Sequence, residues 1–179
     1  MRTKYGNPNR PSRNRDNLAG EHAFTDIGQL VLTVIFLAIW ISDSFLFRYS
    51  VFAAAYVPVY VRLPVGIAML IISALLALPA HKAVFGKAVQ KPSVITDSVF
   101  SLVRHPMYLG SWLFFFGLVI TTLSLTSAAL SIVIFVFYYL VSKYEEKLLL
   151  QKFGIEYQKY KARVPMLFPL RLGGKLFTA

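Results

Sequence analysis

Polar residues in this chain come in bursts separated by long apolar runs. Segments 27–42, 63–80 and 106–142 contain no Asp, Glu, Lys or Arg. A helix needs about 20 apolar residues to cross a bilayer core, so each run, alone or with its flanks, is read as membrane-spanning. The first span is expected over about 27–47, with Thr25 or Asp26 as its N-cap. The second is expected over about 63–78, opened by Pro64 and closed by Pro79. Between them the aromatic stretch 49–62, broken by Pro58, suits an interfacial connection.

The third run holds 37 residues. As one straight helix it would be about 55 Å long, against a hydrocarbon core of about 30 Å, so it must fold back. The polar cluster TTLSLTS, residues 121–127, lies near its midpoint and is the natural turn. The expected architecture is an all-α integral membrane protein with four transmembrane helices. The last two form a helical hairpin, followed by a C-terminal amphipathic segment.

Composition supports this. The chain is 56% hydrophobic and 15% charged, with a mean hydropathy of +0.58; soluble domains are about one quarter charged. The formal net charge of +11 is mostly topological information. Five of the 19 Lys and Arg precede residue 20, four lie in 82–104 and eight lie from Lys143 onward, leaving only Arg48 and Arg62. Four spans would place all but those two on the cytoplasmic face, with both termini there, as the positive-inside rule asks. The basic stretches would also sit on anionic headgroups, so membrane lipids rather than nucleic acid are the expected partners. The absence of cysteine excludes disulfides, thiolate metal sites and a cysteine nucleophile, and no metal is expected. The organisation expected is a basic tail over 1–24, two spans over 25–80, and a functional core over 81–179.

A hairpin returns its two ends to one face of the membrane. Its entrance is RHPMY, residues 104–108, and its exit is KYEEKLL, residues 143–149. Arg104 and His105 should therefore stand beside Glu145 and Glu146. Taken singly, Arg104 suits a snorkelling anchor, His105 an N-cap and Pro106 a first helical turn. Acidic residues at a helix C-terminus oppose the macrodipole and call for a cationic partner. Successive helical residues point about 100° apart, so one glutamate can face the hairpin while the other meets a lysine. Asp43, a carboxylate inside the first span, is expected to pair with Arg48.

Beyond the glutamates, Leu149, Phe153, Tyr157 and Tyr160 recur at helical spacing among Lys147, Lys152, Lys159 and Lys161. That reads as a basic amphipathic segment on the headgroups, interrupted or ended at Gly154. Pro165 and Pro169 then turn an apolar strip back, so that the segment can roof the site.

The joint pattern RHPMYLG, some thirty apolar residues, then YEEKLLLQKFGIEYQKYKARVPMLFP resembles the isoprenylcysteine carboxyl methyltransferase and phospholipid methyltransferase superfamily. It covers roughly residues 92–169. The resemblance implies an S-adenosylmethionine-dependent membrane methyltransferase acting on a lipophilic acceptor, most like isoprenylcysteine carboxyl O-methylation. Phospholipid N-methylation and small-thiol S-methylation are the alternatives within the superfamily. His105, Tyr108, Glu145 and Glu146 carry over as cofactor-binding positions. Arg104 carries over as a polar residue facing cofactor or substrate. On chemical grounds an amine or thiol acceptor must lose a proton, and His105 or a glutamate such as Glu145 is the candidate to accept it.

The chemistry of the residues agrees. A helix N-terminus with Arg104 and His105 suits the cofactor's carboxylate, and a glutamate suits its ammonium or ribose diol. No glycine-rich strand-to-helix turn offers another nucleotide site. Where the family often reads TDGxYxxxRHP, this chain reads TDSVFSLVRHP, with Ser98 for glycine and Phe100 for tyrosine. A tryptophan frequent after the upstream glycine is missing beyond Gly86. Sterol reductases that use nicotinamide share an RHxxY-like motif but are much longer, and a non-catalytic scaffold is the remaining reading.

Overall fold

The structure, a computed structural model, describes residues 14–85 and 94–168. Its α-helices are α1 (Asn14–Ile41), α2 (Val59–Phe85), α3 (Pro106–Thr122), α4 (Leu125–Phe153) and α5 (Ile155–Arg163), with no strand among the described residues. Residues up to Ile35 form one compact unit and those from Phe36 a second. Among the described residues three helical segments are long and apolar enough to cross a membrane: Ile27–Phe47, Val59–Phe85 and Leu125–Phe153. The fourth, α3, has 17 residues and is about 26 Å long.

In the first unit, α1 begins at Asn14, so Thr25 and Asp26 lie inside a helix rather than capping one. Thr33 returns its hydroxyl to the Gln29 carbonyl at 2.7 Å, which satisfies a polar group within an apolar helix.

In the second unit, the expected limits of the second span are overtaken. Helix α2 runs through both Pro64 and Pro79. Each proline removes one helical hydrogen bond, a loss that long apolar helices absorb through local adjustment and packing. The first turn of α2 takes in Tyr60 and Arg62, so only the part before Val59 is connection. Its tie to α3 is built on small residues. A Cβ on Gly110 would stand 3.0 Å from Ala77 Cβ and 3.1 Å from the Ser73 carbonyl; one on Gly117 would stand 3.2 Å from the Gly66 carbonyl. The Ser73 hydroxyl donates to the Gly110 carbonyl at 2.7 Å. Gly66 and Ser73 are seven residues apart, as are Gly110 and Gly117, so two antiparallel helices meet backbone to backbone.

The turn between α3 and α4 falls inside the polar cluster, as expected. It consists of Leu123 in the left-handed region (φ 54°) and Ser124, whose side chain caps α4 by accepting from the Ser127 amide at 3.1 Å. The hairpin is unequal, because α4 has no breaker after its apolar part and continues to Gly154, where φ is +54°.

Asp43 does not pair with Arg48. It is buried in the π-helical turn Ser42–Phe47 and accepts hydrogen bonds from the Ser50 amide (2.9 Å) and from the hydroxyls of Ser50 (2.5 Å), Ser124 (2.5 Å) and Thr126 (2.7 Å). The carboxylate thus ties the end of the first span to the α3–α4 turn, where neutral donors replace water. Trp40 Nε1 adds bonds to the Leu118 carbonyl (3.1 Å) and Thr122 Oγ1 (3.0 Å). This fixes one end of α3, and the chemistry-bearing residues stand at the other.

Candidate functional site

The site is assembled from the first turn of α3, the last third of α4, α5 and the strip that follows it. Pro106 opens α3, where its missing N–H is no loss, and the preceding His105 stands outside the helix at φ −122° and ψ 64°. The Arg104 and His105 amides donate to the carbonyls of Pro165 (2.9 Å) and Met166 (3.1 Å), so the strip after α5 lies along the entrance of the hairpin. The Arg104 guanidinium bonds the carbonyls of Lys161 and Val164, each at 2.7 Å. The Tyr160 hydroxyl reaches the Phe100 carbonyl at 2.7 Å. The strip that follows α5 is described up to Phe168; Pro169, expected to help turn it back, lies outside the described residues.

The two glutamates differ sharply. Glu146 is 3% exposed and fully committed: Oε1 is 2.7 Å from Arg104 Nε and 2.5 Å from its second terminal nitrogen, and Oε2 is 2.8 Å from Lys161 Nζ. Glu145, with a side chain 25% exposed, accepts from the Tyr108 hydroxyl at 2.5 Å and lies 3.6 Å from His105 Nδ1. His105 Nε2 lies 3.7 Å from Glu146 Oε1, beyond hydrogen-bond distance. The rings of His105, Tyr108 and Tyr138 stack in series, at centroid distances of 5.8 and 5.3 Å.

Within the site, the buried atoms His105 Nε2, Ser142 Oγ and Tyr157 Oη have no hydrogen-bond partner among the described residues. Ser142 lies one turn before Glu146 on the same face of α4, and Tyr157 is buried on α5. Burial raises the Tyr157 phenol above its ordinary value, helped by the Glu146 charge. Burial likewise pushes Tyr160 up to about 12. Orphaned buried donors are uncommon and call for a partner the protein alone does not supply. Among the described residues no group of three or more side chains could hold a metal ion.

All five residues singled out from the motifs, Arg104, His105, Tyr108, Glu145 and Glu146, come together. Lys161, Tyr138, Ser142 and Tyr157 were not singled out for the site. Tyr138 and Ser142 share a face with Glu145 and Glu146 at helical spacing, a signal hidden by an apolar run in which every position looked like lipid contact.

A Cβ also changes what Ser98 means. Its φ is +54°, a conformation natural to glycine and strained for serine, so the family's glycine at this position answers a backbone requirement that Ser98 still meets.

Methanethiol S-methyltransferase 1 of Bradyrhizobium diazoefficiens is 40% identical over 88 residues, 48% of this chain and 30% of that protein. Methanethiol S-methyltransferase 2 of the same organism is 34% identical over 90 residues, 50% of this chain and 34% of that protein. The matched segment thus spans about a third of the length of these relatives. No solved structure matches the chain significantly. The profile of the phospholipid methyltransferase family matches residues 57–156, from just before α2 into the first turn of α5. The chain belongs to the phospholipid methyltransferase family.

Proposed function

We propose that this protein is an S-adenosylmethionine-dependent membrane methyltransferase whose acceptor is a small thiol. The observation that carries the reading is the constellation of His105, Tyr108 and Glu145 beside the unpartnered polar atoms of His105, Ser142 and Tyr157, within a chain of a methyltransferase family. The thiol is favoured over an isoprenylcysteine carboxylate because both relatives are named for methanethiol.

When bound, S-adenosylmethionine supplies an electrophilic methyl group on a sulfonium. The residues present fit such a ligand. The partly exposed Glu145 carboxylate offers an acceptor for an ammonium or a ribose diol, while His105 Nε2, Ser142 and Tyr157 offer polar atoms for a carboxylate or hydroxyls. Glu146 and Arg104 serve as frame, since their charges neutralise each other and fix α4 against α3 and the strip after α5. The stacked rings of His105, Tyr108 and Tyr138 give one wall that excludes water and holds reacting groups in line.

A small alkanethiol is protonated at neutral pH and must lose its proton to become a potent nucleophile. His105, whose Nδ1 lies 3.6 Å from the Glu145 carboxylate, is the group placed to accept it.

The topology proposed has four spans, with the short α3 leaving the cytoplasmic face and α4 returning to it. Both termini lie there, residues 1–24 form a basic tail and residues 81–179 the catalytic core. Helix α5 buries Tyr157 and Tyr160 and exposes Lys159 and Arg163, which suits a segment seated on anionic headgroups.

Incubating the full chain in lipid nanodiscs with methyl-labelled S-adenosylmethionine and methanethiol tests the proposal. Labelled dimethyl sulfide, lost in Glu145→Gln, is expected. Labelled phospholipid without labelled sulfide would replace the thiol by a lipid amine, and no labelled product would overturn both.

A further inference from the structure

The two seams of α3 are built in opposite ways. Against α2 the glycines bring backbones together, whereas against α4 the seam is filled by rings. Trp112 stacks on Phe116 at 5.1 Å and packs on Phe135 at 5.0 Å, and Phe168 covers both Trp112 (6.0 Å) and Phe135 (5.6 Å). Trp112 is pinned by its indole N–H, which donates to the Ser131 carbonyl at 3.1 Å. Rings at these separations are in van der Waals contact and leave no width between them for an alkyl chain.

The cluster stands in line with the site. Trp112 is one helical turn beyond Tyr108 on α3, and Phe135 is about one turn before Tyr138 on α4, roughly 6 Å deeper into the hairpin. A molecule moving between α3 and α4 from the side of their connecting turn meets these rings before it reaches His105 and Glu145. Their mobility is unequal. Trp112 and Phe135 belong to helices, but Phe168 is 42% exposed and hangs from the strip held by the Arg104 and His105 amides.

We infer that Phe168, lying on Trp112 and Phe135, is a specificity-determining residue that restricts the acceptor to small thiols by closing the α3–α4 seam to alkyl chains. This rests on the methyltransferase reading and adds the size limit to it. The charged frame around Glu146 holds the strip in place, so loss of the Phe168 ring uncovers Trp112 and Phe135 without moving the strip. One methylene more or less in an apolar pocket changes discrimination by about tenfold or more, so removal of a whole ring should be plain in the selectivity.

The test compares methyl transfer to methanethiol, butanethiol and dodecanethiol by the full chain, by Phe168→Ala and Phe168→Leu, and by Phe52→Ala as an exposed-ring control remote from the cluster. Calorimetric binding of S-adenosylmethionine is measured on each. The wild-type chain should favour methanethiol. Phe168→Ala should raise kcat/KM for the two longer thiols relative to methanethiol by about tenfold, Phe168→Leu should fall between, and Phe52→Ala should match the wild type. Cofactor binding with an unchanged thiol ratio in Phe168→Ala would overturn the size limit and leave the methyltransferase standing. A wild-type chain that already prefers dodecanethiol would overturn it as well. A folded chain that binds no S-adenosylmethionine would overturn the reading beneath it.

Discussion

Glu145 and Glu146 are adjacent in sequence and opposite in circumstance: Glu146 joins Arg104 and Lys161 in a buried ion-pair frame, while Glu145 faces Tyr108 and His105 at the edge of the site. A buried charge stripped of its partner costs about 3–5 kcal/mol, whereas a part-exposed carboxylate is easily replaced. Glu146→Gln is therefore expected to lower the stability of the folded protein by about 3 kcal/mol. Glu145→Gln should melt close to wild type yet lose cofactor binding. Thermal unfolding in detergent beside a binding titration separates the two. Equal melting temperatures for the two variants would contradict the division of roles.

Ser98 carries a φ of +54° where the family's glycine would be unstrained. Ser98→Gly should stabilise the protein by about 1 kcal/mol, since the left-handed conformation costs a side-chain-bearing residue that much. A shift of the melting temperature upward is the readout.

Much of this architecture was legible in the sequence because its causes are local. A 37-residue charge-free run cannot stay straight across a bilayer, and the only polar cluster within it marks the turn at Leu123 and Ser124. That turn alone brings Arg104 to Glu146. The seam between α2 and α3 was written in Gly66, Ser73, Gly110 and Gly117, but small residues in an apolar run show their spacing only once the partner helix is known. Asp43 was misread for a related reason. Arg48 is near in sequence, whereas Ser50, Ser124 and Thr126 become its donors only after the hairpin folds. Pro64 and Pro79 were read as helix ends because in water a missing hydrogen bond favours termination. In an apolar setting no solvent competes, and the helix continues.

The Asp43 cage gives a second stability test. Asp43→Ala leaves the Ser50 amide and three hydroxyls without their common acceptor and should cost about 3 kcal/mol. Affinity for S-adenosylmethionine in the folded fraction should be unchanged, because the cage ties the opposite end of α3. A melt combined with a titration of the surviving protein reads both.

Alkaline pH should loosen α5. Tyr160 ionises at about 12 when folded, against 10.0 ordinarily, because burial disfavours the phenolate. A raised folded value means that the stabilisation is complete below pH about 10 and is lost as pH climbs towards about 12, since the unfolded chain releases its proton first. Tyr157 shifts in the same direction. Stability should fall over that window, and Tyr160→Phe should flatten the fall. An identical slope in the variant would contradict the burial argument.

The most direct measurement is a calorimetric titration of the detergent-purified full chain with S-adenosylmethionine and S-adenosylhomocysteine, with Glu145→Gln and His105→Ala alongside. Saturable binding near one ligand per chain is expected, weakened about tenfold or more in each variant while both still unfold cooperatively. Folded wild-type protein that binds neither ligand, or variants that bind as tightly as wild type, would contradict the site described here.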